Sequence, residues 1–529
     1  MKGNKKIQVW LPFLFSLVMI AGMFIGYKLN ADAGGKKGFF SGNSRNSLQE
    51  ALDLIRLKYV DSVDVDSLEG KAIREVMNEL DPHSVYLSAS EVKEANEDLA
   101  GKFEGIGVEF NVFNDTVNAI YVIPDAPGDK AGLLIGDKLL EVNDSSLTKK
   151  NKSIDEIKNL IRGAGGTKAV FKVLRGNQLQ TITVIRGTIP VPSVDAAYMI
   201  DKNTGYIKLN KFSSTTYEEF MDAMEMLKKE NLQNLMLDLR DNGGGLMDEA
   251  VDITDEFLDG DKLIVYTKGV NSKKREYRCK RPGIFEKGNL VVLIDERSAS
   301  ASEVLTGALQ DWCRAKIIGR RTFGKGLVQE QYPLSDGSGM RLTIARYYTP
   351  LGRSIQRSYE KGTKIYMDDF MERYNNGELL YADSNKISNG KFFVTNCMDT
   401  VYGGGGIMPD IFVSIDTILY TPSINEIFSS SSFNSYVYHY YLQNKQQLEQ
   451  HKTITDFINN VEAMKLWQGL TEYPGTNTLI QSVKQNEKEK IQQRMKGLLA
   501  RYRWRNAGLF QVLNMNDPII NAAFQQIGK

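Results

Sequence analysis

The 529-residue sequence predicts a multidomain α+β protein. Its expected order is an N-terminal membrane helix and helical arm, a small β-rich domain, an α/β core and a helical C-terminal extension. Three observations carry that prediction. A chain this long exceeds what one hydrophobic core supports. The hydrophobic period changes along it: helical spacing at 47–99, alternating strands at 101–188, and near-continuous apolar strands alternating with helices at 204–415. Beyond residue 416 the composition turns to Gln, Asn, Lys and Tyr, and a charged helix is expected over 483–503 with Ile491, Met495, Leu498 and Leu499 on one side.

At the N-terminus, Lys2, Lys5 and Lys6 precede an apolar run at 7–27 that only Gln8 clearly interrupts. A helical run of that length spans a hydrocarbon core and is longer than a usual signal-peptide core. The Ala31-Asp32-Ala33 triplet imitates a cleavage site, but the length favours an uncleaved anchor. Basic residues before the run point to an inside N-terminus and an outside body. The expectation is a single-pass protein of the cell inner membrane, with its body in the periplasm or otherwise outside the cytoplasm. The expected divisions are 1–30, the anchor or signal segment; 31–46, a Gly/Ser/Lys/Asn-rich linker; 47–99, a helical region; 100–188; 189–415; and 416–529.

Lys plus Arg total 66 and Asp plus Glu 65, a net charge of +1, which excludes the basic excess of a nucleic-acid protein. The three cysteines, Cys279, Cys313 and Cys397, form no CxxC pair, so no metal site is expected. Cys313 reads as a small apolar filler on a buried helix, and one disulfide stays open in an oxidising compartment.

The β-rich segment opens on Gly105-Ile106-Gly107-Val108, a glycine turn leading into a strand. Strands at 120–123, 136–144, 170–174 and 180–185 follow, with an amphipathic helix at 154–162. In order and residues this resembles a PDZ domain. Gly105, Ile106, Gly107 and Val108 then occupy the carboxylate-binding loop, where glycines let successive N–H groups converge on an anion. A bound peptide would add as a strand.

Three segments of the α/β core carry chemistry. Residues 238–245, DLRDNGGG, end an apolar strand and expose backbone N–H groups at a helix start, which suits an oxyanion. Asp238 and Arg240 read as supports of that turn. Residues 298–303, SASASE, place Ser300 at the N-cap of a helix over 301–312. With Glu303 it matches a capping box, yet a nucleophile profits from the same free N–H groups. Residues 319–326 nearly spell a phosphate-binding loop, but Gly326 stands where a magnesium-binding hydroxyl belongs, which argues against nucleotide binding. His83, His439 and His451 are the only histidines and all lie outside the core segment. That disfavours a Ser/His/Asp triad and leaves Lys325, which can serve as a base once burial lowers its pKa.

The run from 294 to 329, together with DLRDNGGG, YYTPLGRSIQ at 347–356 and GGGIMPD at 404–410, strongly resembles the carboxyl-terminal processing peptidases, or tail-specific proteases. The resemblance covers 47–415 in order and makes 189–415 a serine-peptidase core. It implies a serine endopeptidase with Ser300 as nucleophile, Lys325 as base and Gln329 orienting that lysine. It also implies an oxyanion hole of backbone N–H groups from Ala301 and from Gly244 or Gly245, and no metal, nucleotide or other cofactor. The partners implied are protein substrates with exposed apolar C-termini. A homo-oligomer or an adaptor protein stays open, and no nucleic acid is expected. A catalytically dead binding scaffold is the rival reading, against which intact Ser300, Lys325 and Gln329 stand.

Overall fold

A computed structural model describes residues 15–23, 47–147, 152–382 and 391–527. The chain divides into two compact units, 1–75 and 76–529. Most of the expected membrane segment lies outside the described residues. Its described part, 15–23, is helical, and no described helix is long and apolar enough to cross a membrane. In the first unit the expected helical pattern forms the helix Ser47–Lys58.

The second unit is built around a six-stranded sheet. Its order is Val194–Met199, Thr204–Leu209, Asn234–Asp238, Asn289–Ile294, Lys316–Gly319 and Ile411–Phe412. The first pair is antiparallel and the remaining pairs are parallel. Helices Thr216–Lys229, Met247–Asp255 and Ala301–Asp311 bury Phe220, Ile253 and Leu305 in one core with Ile207, Leu237 and Val292. In a second core Ile519, Ile520 and Ala523 of the terminal helix Pro518–Ile527 meet Tyr206, Met236, Val291 and Leu293 of the sheet. Strands covered on both sides have no polar face, which is why they read as continuous apolar runs. The extension therefore supplies one layer of the α/β core, a role its sequence did not reveal.

A second, antiparallel sheet lies beside the first. Gly339–Tyr348 pairs with Leu263–Lys268, with Leu327–Pro333 and with the short strand Val85–Leu87, which comes from far upstream. The β-rich segment forms its own sheet, in the order Val108–Phe113, Thr116–Val122, Lys138–Val142, Lys168–Arg175 and Gln178–Ile185. It closes over Ile106, Val117, Leu139, Ile157 and Phe171. The ladder Lys102–Gly105 with Gly187–Pro190 joins its two ends.

In the extension the long helix Gln485–Asn514 reaches further than the expected 483–503 and kinks at Trp504 and Arg505. Ile491, Met495 and Leu499 are buried in the extension's own core, and Leu498 packs against it. Near the kink, Arg501 and Arg505 pair with Glu109 of the β domain at 3.0 and 2.6 Å, and Asn506 donates to Asp195 of the core at 2.6 Å. One helix thus ties the β domain to the core.

Cys313 is not an apolar filler. It ends the helix Ala301–Asp311 in a left-handed conformation and is disulfide-bonded to Cys397, 84 residues on. Cys279 is free and buried.

Candidate active site

Two adjacent strand ends of the parallel sheet build one half of the site. After Asp238 the chain turns through 239–245, and after Ile294 it turns through 295–300 into the helix Ala301–Asp311. The turns interlock: Ala299 N donates to Asn242 O at 3.0 Å, Ser302 Oγ to Asn242 O at 2.9 Å, and Ser298 Oγ to Leu239 O at 2.8 Å. Ser300 adopts φ 57°, ψ −114° immediately before the helix. A non-glycine residue in that region persists only where its surroundings enforce it, a pattern typical of functional sites. Gly244, at φ +96°, lies so close that an added Cβ would stand 2.7 Å from Ser300 Cβ and 2.9 Å from Ala301 N.

The N–H groups beside Ser300 differ in their commitments. Gly244 N donates to Asn242 Oδ1 at 2.9 Å. Among the described residues, Gly245 N and Ala301 N have no protein acceptor. Asp238 and Arg240 support the turn as expected: Arg240 N and its guanidinium bond the buried Asp238 carboxylate, which also accepts from Tyr206 Oη at 2.7 Å. Arg240, foremost among those charged neighbours, holds Asp238 well below the usual carboxylate range despite the opposing effect of burial.

The other half rests on the antiparallel sheet. Lys325 precedes the strand Leu327–Pro333, and Gln329 sits on that strand at a bulge next to Val328. A bulge re-aims side chains. Here Lys325 Nζ donates to Gln329 Oε1 at 2.8 Å. No hydrogen bond joins Lys325 Nζ to Ser300 Oγ in this arrangement. Because 319–326 lead into a strand and not a helix, the near-match to a phosphate-binding loop lacks the helix N-terminus such a loop needs.

Burial pushes the Lys325 ammonium down to about 8. The charge of Arg341 acts in the same direction, and Asp81 and Glu303 oppose it. A lysine in that range is a workable base near neutral pH.

Glu303 joins the two halves. Its carboxylate is fully buried and accepts from Ser300 N at 2.9 Å, Lys325 N at 2.8 Å, Gly324 N at 2.7 Å and Thr322 Oγ1 at 2.5 Å. Burial raises it to about 7 against those hydrogen bonds. The buried Tyr347 hydroxyl adds a second link, lying against the carbonyls of both Ser300, at 3.0 Å, and Lys325. Sequence reasoning saw only a capping box in Glu303. The bond to Ser300 N is half of one, and the bonds to 322–325 exceed it.

His83 is the clearest correction. Its sequence position put it in the helical arm, away from the core, but the turn 81–84 folds onto the site. His83 O accepts from Gln329 Nε2 at 2.5 Å, and its imidazole Nε2 meets Tyr366 Oη at 2.9 Å. Burial, then the Lys325 charge, lowers its pKa to about 4. Its ring Nε2 is engaged with Tyr366, and among the described residues no hydrogen bond joins it to Ser300. The strand Val85–Leu87 was the missed signal, because three residues are too few for a visible period.

In the β domain, Gly105 ends a strand, Gly107 takes φ 71°, and Ile106 is buried. Among the described residues, Ile106 N and Gly107 N have no protein acceptor. Among the described residues the next strand, Val108–Phe113, pairs only with Thr116–Val122, and its other edge has no strand partner. Two free N–H groups beside an open strand edge fit a peptide carboxylate followed by an added strand.

A serine at a strained strand-to-helix turn, a buried lysine and a β domain with an open strand edge fit a serine peptidase. Comparison with known proteins agrees. The model of peptidase family S41 matches residues 203–364, a PDZ-domain model matches 120–175, and a family of unknown function (DUF8443) matches 423–505. The chain is 31% identical over 380 residues to a carboxy-terminal-processing protease of Bartonella bacilliformis, covering 70% of this chain and 86% of that protein. It is 31% identical over 386 residues to the carboxy-terminal processing protease CtpA of Bacillus subtilis, covering 72% and 81%. A probable CtpA-like serine protease of Staphylococcus epidermidis is 37% identical over 294 residues, which is 55% of this chain and 59% of that protein's length. The chain belongs to the carboxy-terminal processing proteases, serine peptidases of family S41 that here carry a PDZ domain.

Proposed function

We propose that this chain is an endopeptidase that selects polypeptides by their C-terminal tails and cuts them with a Ser300/Lys325 dyad. One observation carries the reading: the backbones at Ser300 and Lys325 are fastened to the same Glu303 oxygen, at 2.9 and 2.8 Å, beside a lysine whose pKa burial has lowered. Neutral Lys325, with one N–H on Gln329 Oε1 and its lone pair toward Ser300, takes the Oγ proton as Ser300 attacks the scissile carbonyl. The proton then passes to the leaving amine, and water releases the acyl-enzyme. We assign the oxyanion to Ala301 N and Gly245 N, because Gly244 N is already committed to Asn242.

The substrate class is a protein with an exposed, apolar C-terminus. Its carboxylate sits on Ile106 N and Gly107 N, and its backbone runs along Val108–Phe113. On this reading 100–188 is the PDZ domain, 189–415 the peptidase core and 416–529 the extension that braces both. The apolar run at 7–27 anchors the chain in a membrane with its body outside the cytoplasm. The Cys313–Cys397 disulfide supports that side, since such bonds persist in oxidising compartments.

The test is cleavage of an unstructured polypeptide with an apolar C-terminus by the wild type, Ser300→Ala and Lys325→Ala. Each variant should lose about 10⁵-fold in kcat while staying folded. Cleavage by Ser300→Ala at the wild-type rate would refute the dyad.

A further inference from the structure

The lysine base depends on Gln329, and Gln329 depends on a residue 246 positions upstream. The Gln329 amide is held at both ends: Oε1 accepts from Lys325 Nζ at 2.8 Å, and Nε2 donates to His83 O at 2.5 Å. We propose that the turn 81–84 is a positioning element for the base: by holding the His83 carbonyl on Gln329 Nε2, it fixes which way the Gln329 amide faces. This inference rests on Lys325 acting as the base.

The chemical reason is the asymmetry of the amide. A carbonyl only accepts, so it selects the NH₂ end and leaves the oxygen to face Lys325. With the oxygen there, a neutral Lys325 donates one N–H to Gln329 and keeps its lone pair for the Ser300 proton. With the amide reversed, Nε2–H would donate into that lone pair and consume the base. Nothing in the strand Leu327–Pro333 makes the choice.

The turn is built to hold that carbonyl. The Asp81 carboxylate accepts from His83 N at 2.8 Å, Ser84 N at 2.9 Å, Ser84 Oγ at 2.5 Å and Thr343 Oγ1 at 3.1 Å. Ser84 Oγ accepts from Thr343 N at 3.1 Å. Strand Val85–Leu87 then pairs with residues 339–341, fixing the turn to the sheet that carries Gln329. On the far side the imidazole bonds Tyr366 Oη and meets the Phe323 ring edge-on, at 6.3 Å between centroids. Asp81 is buried, and its fixed geometry matches the Asx-turn habit of aspartate before a short turn. The turn also leads, through helix Ala89–Ala100, directly into strand Lys102–Gly105 and the carboxylate-binding loop.

The test uses the full chain, a quenched fluorogenic polypeptide with an apolar C-terminus, and kcat and KM measured from pH 5.5 to 9.5. The charged or titratable groups facing Lys325 are Arg341, Asp81, Glu303 and His83. Asp81→Ala should lower kcat about 10²-fold with KM within about threefold, the scale of a misplaced catalytic group. Asp81→Asn keeps an acceptor for His83 N and Ser84 N. It should recover at least tenfold of that loss while its acid limb moves to lower pH, because the charge that raises the Lys325 pKa is gone. His83→Ala keeps the carbonyl and should lose less than Asp81→Ala.

Gln329→Glu keeps the side chain's shape and removes the N–H that meets His83 O, with a melting curve to check the fold. It should fall at least as far as Asp81→Ala, with its acid limb moved to higher pH by the new carboxylate. Full activity in Gln329→Glu would overturn the proposal. So would an Asp81→Ala enzyme that melts earlier yet keeps its kcat and pH profile. Ser300→Ala and Lys325→Ala run alongside. If they stay active the dyad reading has failed. If they are dead while the turn and Gln329 variants are not, only the positioning role has.

Discussion

The two halves of the active site are built differently. The proposed nucleophile half, Ser300 with Ala301 and 243–245, comes from neighbouring parallel strand ends of one sheet and is locked by hydrogen bonds between the two turns that follow them. The proposed base half, Lys325 and Gln329, stands on an antiparallel sheet and is completed by the turn at 81–84. The first half is set by two turns on neighbouring strands of the sheet. The second depends on side-chain hydrogen bonds between segments far apart in sequence. The base half is the one that the turn at 81–84, upstream of the PDZ domain, contacts directly.

Changes that break the link between the halves should have the largest effect. Glu303→Gln puts an NH₂ where N–H and O–H donors converge, so it disturbs Ser300 and 322–325 together. We expect about a 10³-fold loss in kcat, more than the roughly 10² typical of displacing one catalytic group. Steady-state kinetics alongside a melting curve would separate this from unfolding. An unchanged kcat would mean the halves are held by Tyr347 alone.

Gly244→Ala strikes the nucleophile half only. The new Cβ would press on Ser300 Cβ and Ala299 O at 2.7 Å, in a backbone conformation that alanine resists. An expected loss of about 10²-fold follows from displaced oxyanion donors, with the pH profile unmoved. A shifted acid limb in this variant would show that the two halves titrate as one unit.

The pH dependence sharpens the contrast. On the proposed dyad Lys325 must be neutral to accept a proton, so activity should fall as pH drops through about 8. Glu303 must be ionised to accept four hydrogen bonds, so protonation near 7 removes a second requirement. The logarithm of kcat/KM should therefore fall with slope one between pH 8 and 7 and approach slope two below 7. A slope of one throughout would mean that Glu303 does not titrate in that range.

The smallest effect belongs to the disulfide. Cys397→Ser releases a closed loop of 84 residues and should cost about 2–4 kcal/mol of stability, read as a lower melting temperature. Because the bridge grips the far end of the Ser300 helix, kcat at 25 °C should change less than twofold. A larger fall would tie the hairpin Phe392–Val394/Thr400–Tyr402 to the base loop through the glycines that follow it.

The sequence by itself determined the local parts. Apolar strands ending in DLRDNGGG and before SASASE specified the sheet and its turns, since buried parallel strands and glycine-rich turns leave local signatures. The order of strands at 101–188 specified the PDZ-like domain, and Gly-Lys-Gly with Gln329 marked the proposed base. Tertiary structure alone decided what depends on long-range meetings. It folded His83 onto Gln329, turned Glu303 from a cap into a hub, paired Cys313 with Cys397 and laid helix Pro518–Ile527 across the sheet. It also engaged Gly244 N with Asn242, which the glycine run alone does not reveal. Periodicity reports which side of an element is apolar, not which distant segment will cover it, and a carbonyl's partner is not written in its own residue type.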